Sequence, residues 1–275
     1  MPSAERDPGF TPLDFDTPSL ARMFDALLGG RDNYAVDRAL VDRIEALAPG
    51  VHQAARDHRA FVGRALRLLA GERGVDQFID LGSGLPTVDN THQIVQRYNA
   101  ESRVIYVDND PVVQAHGRAL LEENDRTHMA GCDLSDPRKA LSDPDVAPFL
   151  DLDRPVAVMM AAIVHHFPDD EQALTIVRDW MAAVPSGSYL VFSHQCDPED
   201  GSPASALART LTTALRDSGV GSVHRTRPEI EKFFDGLEYV PPGLTLVHQW
   251  WPDGPRLLPL TDVNFTTVGA VARKP

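Results

Sequence analysis

Apolar residues in the amino-terminal part of the chain recur with the period of an amphipathic helix. The first series places apolar side chains three and four positions apart, at Leu20, Met23, Phe24, Leu27 and Leu28. Thr17-Pro18 has the form of an N-cap followed by proline at the first helical position, and the glycine pair at 29–30 ends the pattern. The same kind of spacing predicts a second helix over 36–48 and a third over 52–72.

After residue 73 the pattern changes to short apolar runs that alternate with helical segments. The strand-like runs are 77–81, 103–107, 127–131, 155–160, 188–193, 244–249 and 263–271. The helical segments are 88–99, 111–123, 169–183, 203–218 and 227–234. Continuous apolar strands that alternate with helices are typical of a parallel sheet covered on both faces, so the pattern predicts an α/β fold. The last two runs are joined by a loop without a helix, which predicts an antiparallel hairpin at one end of the sheet.

These patterns divide the chain into three parts. Residues 1–16 are rich in proline and aspartate and have no periodicity, so we expect a flexible arm. Residues 17–72 form a predicted helical cap, and residues 73–275 form the α/β domain. We expect the cap and the α/β domain to form one compact unit.

The charge of the chain restricts its partners. It has 26 Lys+Arg against 40 Asp+Glu, which gives a formal net charge of −14 over 275 residues. This acidity argues against nucleic acids and anionic membranes as partners, because both are bound through basic surfaces. The two cysteines, Cys132 and Cys196, indicate neither a disulfide framework nor a paired-cysteine metal site. Since the sequence also lacks a secretory signal and a membrane-spanning run, we expect a cytoplasmic protein without metal.

A glycine-rich turn follows the first predicted strand. Asp80, Gly82, Ser83 and Gly84 lie where the strand ends, and the two glycines let the backbone approach a ligand closely. A dinucleotide fingerprint would place a third glycine at position 87, where this chain has Thr87. A tight turn without any ligand is the alternative interpretation.

Acidic residues also follow the second and third strands. Asp108 lies at the tip of the second strand, where a carboxylate can accept both hydroxyls of a ribose. Asp133 follows the third strand and could accept from the exocyclic amine of an adenine, with Leu134 near its ring. A polar loop closed by an Asx turn is the alternative for Asp133. Asp110 and Asp136, each followed by proline, are predicted helix N-caps.

Two adjacent histidines follow the fourth strand. His165 and His166 lie where a second substrate would meet a ligand bound at the strand ends, and histidine exchanges a proton near neutral pH. In an extended or irregular segment adjacent side chains diverge, so we expect at most one of them to face the site. Histidines of the core or rim are the alternative, and no further ligands with suitable spacing support a metal site.

Together these motifs resemble class I S-adenosylmethionine (SAM)-dependent methyltransferases. The resemblance rests on D-x-G-x-G (80–84), V-D-N-D (107–110), C-D-L-x-D-P (132–137) and a histidine after the fourth strand. More narrowly, the chain resembles one bacterial family of such methyltransferases with an amino-terminal LLGG-x-DN motif. That narrower resemblance covers FDALLGGRDNYAVDR (24–38), ARDHRAFVGRAL (55–66), QFIDLGSGLPT (77–87), VIYVDNDPVV (104–113), AIVHHFPDD (162–170) and VGAVARKP (268–275).

The resemblance implies a fold and a set of site residues. It implies a Rossmann-like, seven-stranded, mostly parallel sheet of order 3-2-1-4-5-7-6, with the last strand antiparallel, helices on both faces and a helical amino-terminal cap. The implied SAM-binding residues are Asp80, Gly82, Ser83, Gly84, Asp108, Asn109, Asp133 and Leu134. The implied substrate or cap residues are Arg31, Asn33, Tyr34 and Arg59, of which Arg59 could meet the methionine carboxylate, and the implied catalytic residue is His165.

Two of these implied roles have structural alternatives. The glycine pair at 29–30 could simply break a helix, with Asp32-Asn33 capping the next one. Arg59 could equally be a solvated charge on the surface of the third helix.

The resulting hypothesis is a SAM-dependent methyltransferase that acts on a small-molecule acceptor and releases S-adenosylhomocysteine. A general base is needed only if the acceptor must lose a proton. One alternative is a non-catalytic SAM-binding or regulatory protein. A nicotinamide-dependent oxidoreductase is disfavoured by Thr87 and by the acid at position 133. The oligomeric state is not predicted.

Overall fold

A computed structural model describes residues 14–275, so most of the predicted arm over 1–16 lies outside the described residues. Three helices begin the described chain: α1 (Leu20–Leu28), α2 (Ala35–Leu47) and α3 (Val51–Arg67), the last extended by a π-helical turn over Leu68–Glu72. The N-cap of α1 is Ser19, whose hydroxyl accepts from Arg22 N–H, and not Thr17 as predicted. Gly29 ends α1 in the left-handed conformation that glycine adopts without strain.

Within residues 14–275, nine strands form one mixed sheet. They are β1 (Gln77–Leu81), β2 (Arg103–Val107), β3 (Thr127–Ala130), β4 (Ala157–Ala161), β5 (Tyr189–Asp197), β6 (Arg225–Thr226), β7 (Glu238–Tyr239), β8 (Thr245–Leu246) and β9 (Thr267–Arg273). The order is β3-β2-β1-β4-β5-β9-β7, with β6 beside β5 and β8 beside β9. Strands β1 to β5 are parallel, whereas β9 is antiparallel to β5, β7 and β8.

This topology confirms the expected Rossmann-like class. The long antiparallel strand β9 occupies the place of the predicted seventh strand, and the sixth place is divided between the short strands β7 and β8. The predicted hairpin is present as the β8–β9 pair, although β8 has only two residues.

In the described part of the chain, six further α-helices follow the strands. They are α4 (Thr91–Gln96), α5 (Pro111–Leu120), α6 (Pro137–Ser142), α7 (Asp170–Ala183), α8 (Pro203–Asp217) and α9 (Arg227–Glu231). The N-cap predictions for α5 and α6 are confirmed, because Asp110 accepts from Val112 N–H and Asp136 accepts from Lys139 N–H. Helix α6 and strands β6 and β7 were not predicted, since each is too short for a clear period.

Alternate residues of the sheet face two separate apolar layers. Phe78 packs with α3, α4 and α5, whereas Ile79 packs with α7 and the segment around α9. Helix α3 therefore covers the sheet directly: a Cβ at Gly269 of β9 would lie 2.7 Å from the ring of Phe61 on α3. A third cluster joins α2 to α8 above the carboxyl ends of the strands. None of the helices in residues 14–275 combines the length and apolar character that crossing a membrane requires.

Candidate active site

The turn after β1 is shaped to bring backbone close to a ligand. Gly82 and Gly84 both have φ of +67°, a conformation that side chains with a Cβ rarely adopt. Gly82 N–H donates to the Val107 carbonyl at 2.8 Å, which ties the turn to the end of β2. A Cβ at Gly82 would lie 2.6 Å from Ile163, whereas a Cβ at Gly84 would meet nothing within 4 Å. The turn is thus packed on one side and open on the other.

Asp108 is held rigidly at the tip of β2. One carboxylate oxygen accepts from Gly84 N–H at 2.9 Å and the other accepts from Asp110 N–H at 3.0 Å. Burial raises the pKa of Asp108, and the backbone donors oppose that shift because they stabilise the ionised form. Each oxygen keeps a further lone pair, so a fixed carboxylate remains able to accept two ligand hydroxyls.

Asp80 and Arg59 meet beside the same turn. The Asp80 carboxylate accepts from the Thr91 hydroxyl at 2.7 Å. Burial raises the pKa of Asp80, while Thr91 and Arg59 act in the opposite direction. Arg59 donates through Nη2 to the Asp89 carbonyl at 3.1 Å, and burial lowers the pKa of its guanidinium. The structure therefore places Arg59 beside the proposed cofactor loop.

Asp133 forms the Asx turn that the sequence offered as the alternative interpretation, while its predicted role toward adenine stays a prediction. Its carboxylate accepts from Ser135 N–H at 2.8 Å, which is an Asx turn. Asp133 and Leu134 also border a cavity at the carboxyl ends of the strands. The Leu134 carbonyl accepts from Trp180 Nε1 at 2.8 Å, so the buried core fixes the position of this loop.

A cavity of about 600 Å³ joins these strand ends to the three amino-terminal helices. Its lining includes these sequence-predicted residues: Arg59, Asp80, Gly82, Ser83, Gly84, Asp108, Asn109, Asp133, Leu134 and His165. The lining residues found among 14–275 do not include Arg31, Asn33 or Tyr34. Helices α1, α2 and α8 contribute apolar side chains to the same lining. A volume of this size is ordinary for a small-molecule site.

Both adjacent histidines border the cavity, so the expectation that at most one would do so is wrong. The reason is local: Val164–His166 forms a 3₁₀ turn and not an extended segment. Successive side chains of a 3₁₀ turn are about 120° apart, and a wide cavity can meet two of them. The His165 and His166 ring centroids are 4.2 Å apart.

The sequence and the whole fold match one family of proteins. A sequence profile described as S-adenosyl methyltransferase matches residues 7–275. The chain belongs to the S-adenosyl methyltransferase family. The cofactor of this family is SAM, which agrees with the glycine turn and strand-end acids described above.

Solved structures agree with that membership. A candidate methyltransferase from Thermobifida fusca YX is 38% identical, covers 99% of each chain and superposes with a TM-score of 0.86. A DUF574 family protein from Streptomyces avermitilis MA-4680 is also 38% identical, covers 95% of this chain and 99% of its own, and has a TM-score of 0.88. No curated protein matches the chain.

The residues present in this S-adenosyl methyltransferase family member fit SAM. The open side of Gly84 leaves space against the backbone, and Asp108 offers acceptors beside it. Asp80 and Arg59 add a carboxylate and a guanidinium on one flank, and Asp133 lies on the other. These groups could meet the ammonium and carboxylate, the ribose and the adenine of the cofactor.

The LLGG-x-DN segment of this family member forms a bend around a buried carboxylate. Asp25 accepts from Asp32 N–H at 2.9 Å and from the Asn33 side-chain amide at 2.7 Å. A Cβ at Gly30 would overlap that carboxylate, which explains glycine at this position. We refer to Asp25, Gly30, Asp32 and Asn33 as the Asp25 bend.

Tyr34 begins α2 next to this bend. Its N–H donates to Asp37 at 2.8 Å, and Asp37 also accepts from Arg22 Nε at 2.8 Å in a buried ion pair. Tyr34, and not Asp32-Asn33, is the N-cap residue of α2. Arg31 is exposed. The observed contacts of Asn33 and Tyr34 position helices α1 and α2, and their predicted role toward cofactor or acceptor stays a prediction.

Three further histidines border the cavity and were not identified from the sequence: His58, His194 and His224. His58 Nε2 is 2.8 Å from the Ser193 hydroxyl. His194 lies just beyond the predicted end of its strand, because β5 continues to Asp197 where the apolar run suggested residue 193. Extending the predicted strand beyond residue 193 includes His194, whereas no local sequence pattern indicates His58 or His224.

The pKa values of all five histidines in this lining are lowered. Burial is the largest cause in each case: it lowers the pKa of His58 and His194 to about 3, and of His166 and His224 to about 4. The pKa of His165 is lowered well below its ordinary value by burial and by the other four imidazoles. At neutral pH this wall consists of uncharged imidazoles.

Proposed function

We propose that this S-adenosyl methyltransferase family member transfers a methyl group from SAM to a small molecule bound in the same cavity. The observation that carries the proposal is the shared cavity: the glycine turn, Asp108 and His165 all border it. Cofactor and acceptor can therefore lie side by side within a single enclosure. The net charge of −14 disfavours nucleic acid as the acceptor.

Specific residues would hold the cofactor. We assign the ribose hydroxyls to Asp108, whose carboxylate the backbone already orients. The adenine would lie near Asp133 and Leu134, with Ser83 and Asn109 along the path between them. The methionine end would lie at Asp80 and Arg59. By charge, the Asp80 carboxylate matches the ammonium group and the Arg59 guanidinium matches the carboxylate.

Bound SAM supplies a methyl group on a sulfonium sulfur, which is already an excellent leaving group. The task of the chain is therefore to hold the acceptor atom in line and to exclude water, and such orientation can contribute about 7–11 kcal/mol. His165 forms part of the cavity wall and makes no side-chain hydrogen bond to any described residue. We assign it the role of positioning the acceptor.

Titration calorimetry with SAM and with S-adenosylhomocysteine tests the cofactor assignment. Asp108→Ala should weaken the binding of both ligands by about 10- to 100-fold, because it removes the carboxylate to which the ribose hydroxyls would donate. Asp136→Ala is the matched control, since Asp136 caps α6 and does not border the cavity. Unchanged affinity in Asp108→Ala would place the ribose elsewhere, and absence of SAM binding at high micromolar concentration would refute the proposal.

Methyl transfer itself is tested by following S-adenosylhomocysteine formation after incubation with SAM and fractionated small-molecule extracts. The proposal predicts fractions that stimulate product formation by the native protein and not by Asp108→Ala. A protein that only senses SAM would bind it and form no product with any fraction.

A further inference from the structure

The charges around the cavity are segregated along the sheet. The charged residues in its lining, within the described part of the chain, are Arg59, Asp80, Asp108, Asp110 and Asp133. Asp80 lies near the carboxyl end of β1, Asp108 and Asp110 follow β2, and Asp133 follows β3; Arg59 lies beside Asp80. No Asp, Glu, Lys or Arg from β4, β5 or the loops after them appears among the described lining residues. We call this side, over β4 and β5, the uncharged half.

Two of its five histidines are occupied by the protein itself. His194 Nδ1 lies 2.6 Å from the Gln195 carbonyl, and its Nε2 accepts from Arg225 at 2.9 Å. His58 is bound to Ser193 through Nε2, and its Nδ1 is fully enclosed. His194 therefore has no nitrogen free for a ligand, and the one unpartnered nitrogen of His58 is enclosed.

His166 offers a hydrogen-bond acceptor to the cavity. Its Nδ1 lies 2.7 Å from the Gly221 carbonyl, and a carbonyl can only accept, so Nδ1 carries the proton. In the neutral ring Nε2 is then an unprotonated acceptor. His166 borders the cavity, and among the described residues its only side-chain hydrogen bond is the one made through Nδ1.

His224 is a second imidazole in this half of the cavity. The Thr212 hydroxyl accepts from His224 N–H at 3.2 Å and lies 2.8 Å from His224 Nδ1. Both neutral tautomers satisfy this contact, because the hydroxyl oxygen has one proton to donate and two lone pairs to accept with. Val223 N–H donates to the His165 carbonyl at 2.9 Å, which ties the segment before His224 to the turn that contains His166.

We propose that the uncharged half binds an uncharged, largely apolar acceptor bearing a hydroxyl group, which donates to His166 Nε2. A hydroxyl supplies the proton that the unprotonated Nε2 can accept, and it carries no charge. The apolar body of the molecule lies against Ile44 of α2 and Leu211 and Leu215 of α8, which border the same cavity. This inference rests on the proposed methyl transfer and specifies its substrate class.

Charged acceptors do not match this surface. An ammonium group would find no carboxylate in the uncharged half, and a carboxylate or phosphate would find no Lys or Arg among its described lining residues. The buried cation behind His194 is Arg225, which is already paired with Asp170 at 2.8 Å. The lowered pKa values of His166 and His224 keep both rings neutral at pH 7. Burial of an unpaired charge is costly, so the wall selects against it.

Matched probes test the inference on the full-length protein saturated with S-adenosylhomocysteine. The probes are phenol and 2-naphthol, their carboxylate analogues benzoate and 2-naphthoate, and their amine analogues benzylamine and 2-naphthylmethylamine. We expect the hydroxyl compounds to bind at least about tenfold more tightly than either charged series, and to shift the imidazole ¹⁵N signals of His166. Tighter binding of a charged series, or no binding of any hydroxyl probe, would overturn the inference.

Variants separate recognition from folding. His166→Leu should weaken the binding of 2-naphthol about fivefold, while His166→Gln, which can restore an acceptor, should recover part of the loss. His116→Gln, on α5 and outside the cavity lining, is the control. Binding of S-adenosylhomocysteine to each variant reports an intact cofactor site. If the native protein does not bind S-adenosylhomocysteine, the proposed function fails, whereas unchanged naphthol affinity in His166→Leu refutes this inference alone.

Discussion

Acid should destabilise this protein through its buried histidines. Burial lowers the pKa of His58 and His194 to about 3, with Arg59 adding to the shift at His58 and Arg225 at His194. In the unfolded chain the pKa of each imidazole returns to about 6.5. Between those values the unfolded state binds protons that the folded state does not bind, so the free energy of unfolding falls as pH falls. The contribution is fully present above pH 6.5 and is lost progressively toward pH 3.

The magnitude follows from that difference in proton binding. Between pH 7 and pH 5 each of these two histidines costs about 2 kcal/mol of stability, or about 4 kcal/mol together. That loss is large beside the ~5–15 kcal/mol stability of a typical domain. The raised pKa values of Asp80 and Asp108 act in the opposite direction, because protonation favours their folded forms.

Denaturant unfolding at a series of pH values between 5 and 7 measures this effect. His58→Gln should reduce the slope of the unfolding free energy against pH by about 1 kcal/mol per pH unit, since one fewer group takes up a proton on unfolding. Ser193→Ala is the control: it removes the hydrogen-bond partner of His58 and keeps the titrating group, so stability should drop with little change in slope. A slope in His58→Gln equal to that of the native protein would refute the reasoning.

Three further substitutions test the turns and the buried ion pair. Gly30→Ala should lower stability by about 2–3 kcal/mol, because the new methyl overlaps the Asp25 carboxylate. Gly82→Ala should cost about 1–3 kcal/mol and weaken SAM binding, because φ at this position is +67°. Arg22→Met should cost about 3–5 kcal/mol by leaving Asp37 buried without its cation. Thermal and denaturant unfolding measure all three, and calorimetry measures SAM binding.

One glycine provides a shared control for the turn substitutions. A Cβ at Gly254 would meet nothing within 4 Å, so Gly254→Ala should change stability little. Native-like stability in Gly30→Ala would show that the Asp25 bend adapts easily. Full SAM affinity in Gly82→Ala would show that the turn does not approach the cofactor, and a small effect in Arg22→Met would indicate that Asp37 is satisfied by its backbone donors alone.

Local patterns predicted the parts of the fold that depend on local structure. The apolar runs that became β1 and β2 matched the observed strands, because central parallel strands are buried on both faces and need uninterrupted apolar sequence. Asp108 and the glycine turn could be brought together in advance, since the carboxyl ends of neighbouring parallel strands lie at one edge of the sheet. The edge strands were less predictable: β7 and β8 have two residues each and depend on β9 for their pairing.

The uncharged half of the cavity depends on contacts between segments that are distant in sequence, and no local sequence pattern predicts such contacts. His58 meets Ser193 across 135 residues of chain, and His166 meets the Gly221 carbonyl across 55. The segment after Gly29 was difficult for a different reason. Its glycines and polar residues indicate a bend, but only the structure shows that the bend closes around Asp25.

The division of the cavity has a consequence for how its chemistry could diversify. Apart from Arg59 on α3, the proposed cofactor contacts come from three strand–turn units, whereas the apolar wall of the uncharged half comes from α2 and α8. Side chains such as Ile44 of α2 and Leu211 of α8 can be exchanged for larger or smaller ones without altering Asp108 or the glycine turn. Relatives that share one cofactor could therefore diverge toward different acceptors through a few substitutions, and the same positions are the natural targets for redesigning what is methylated.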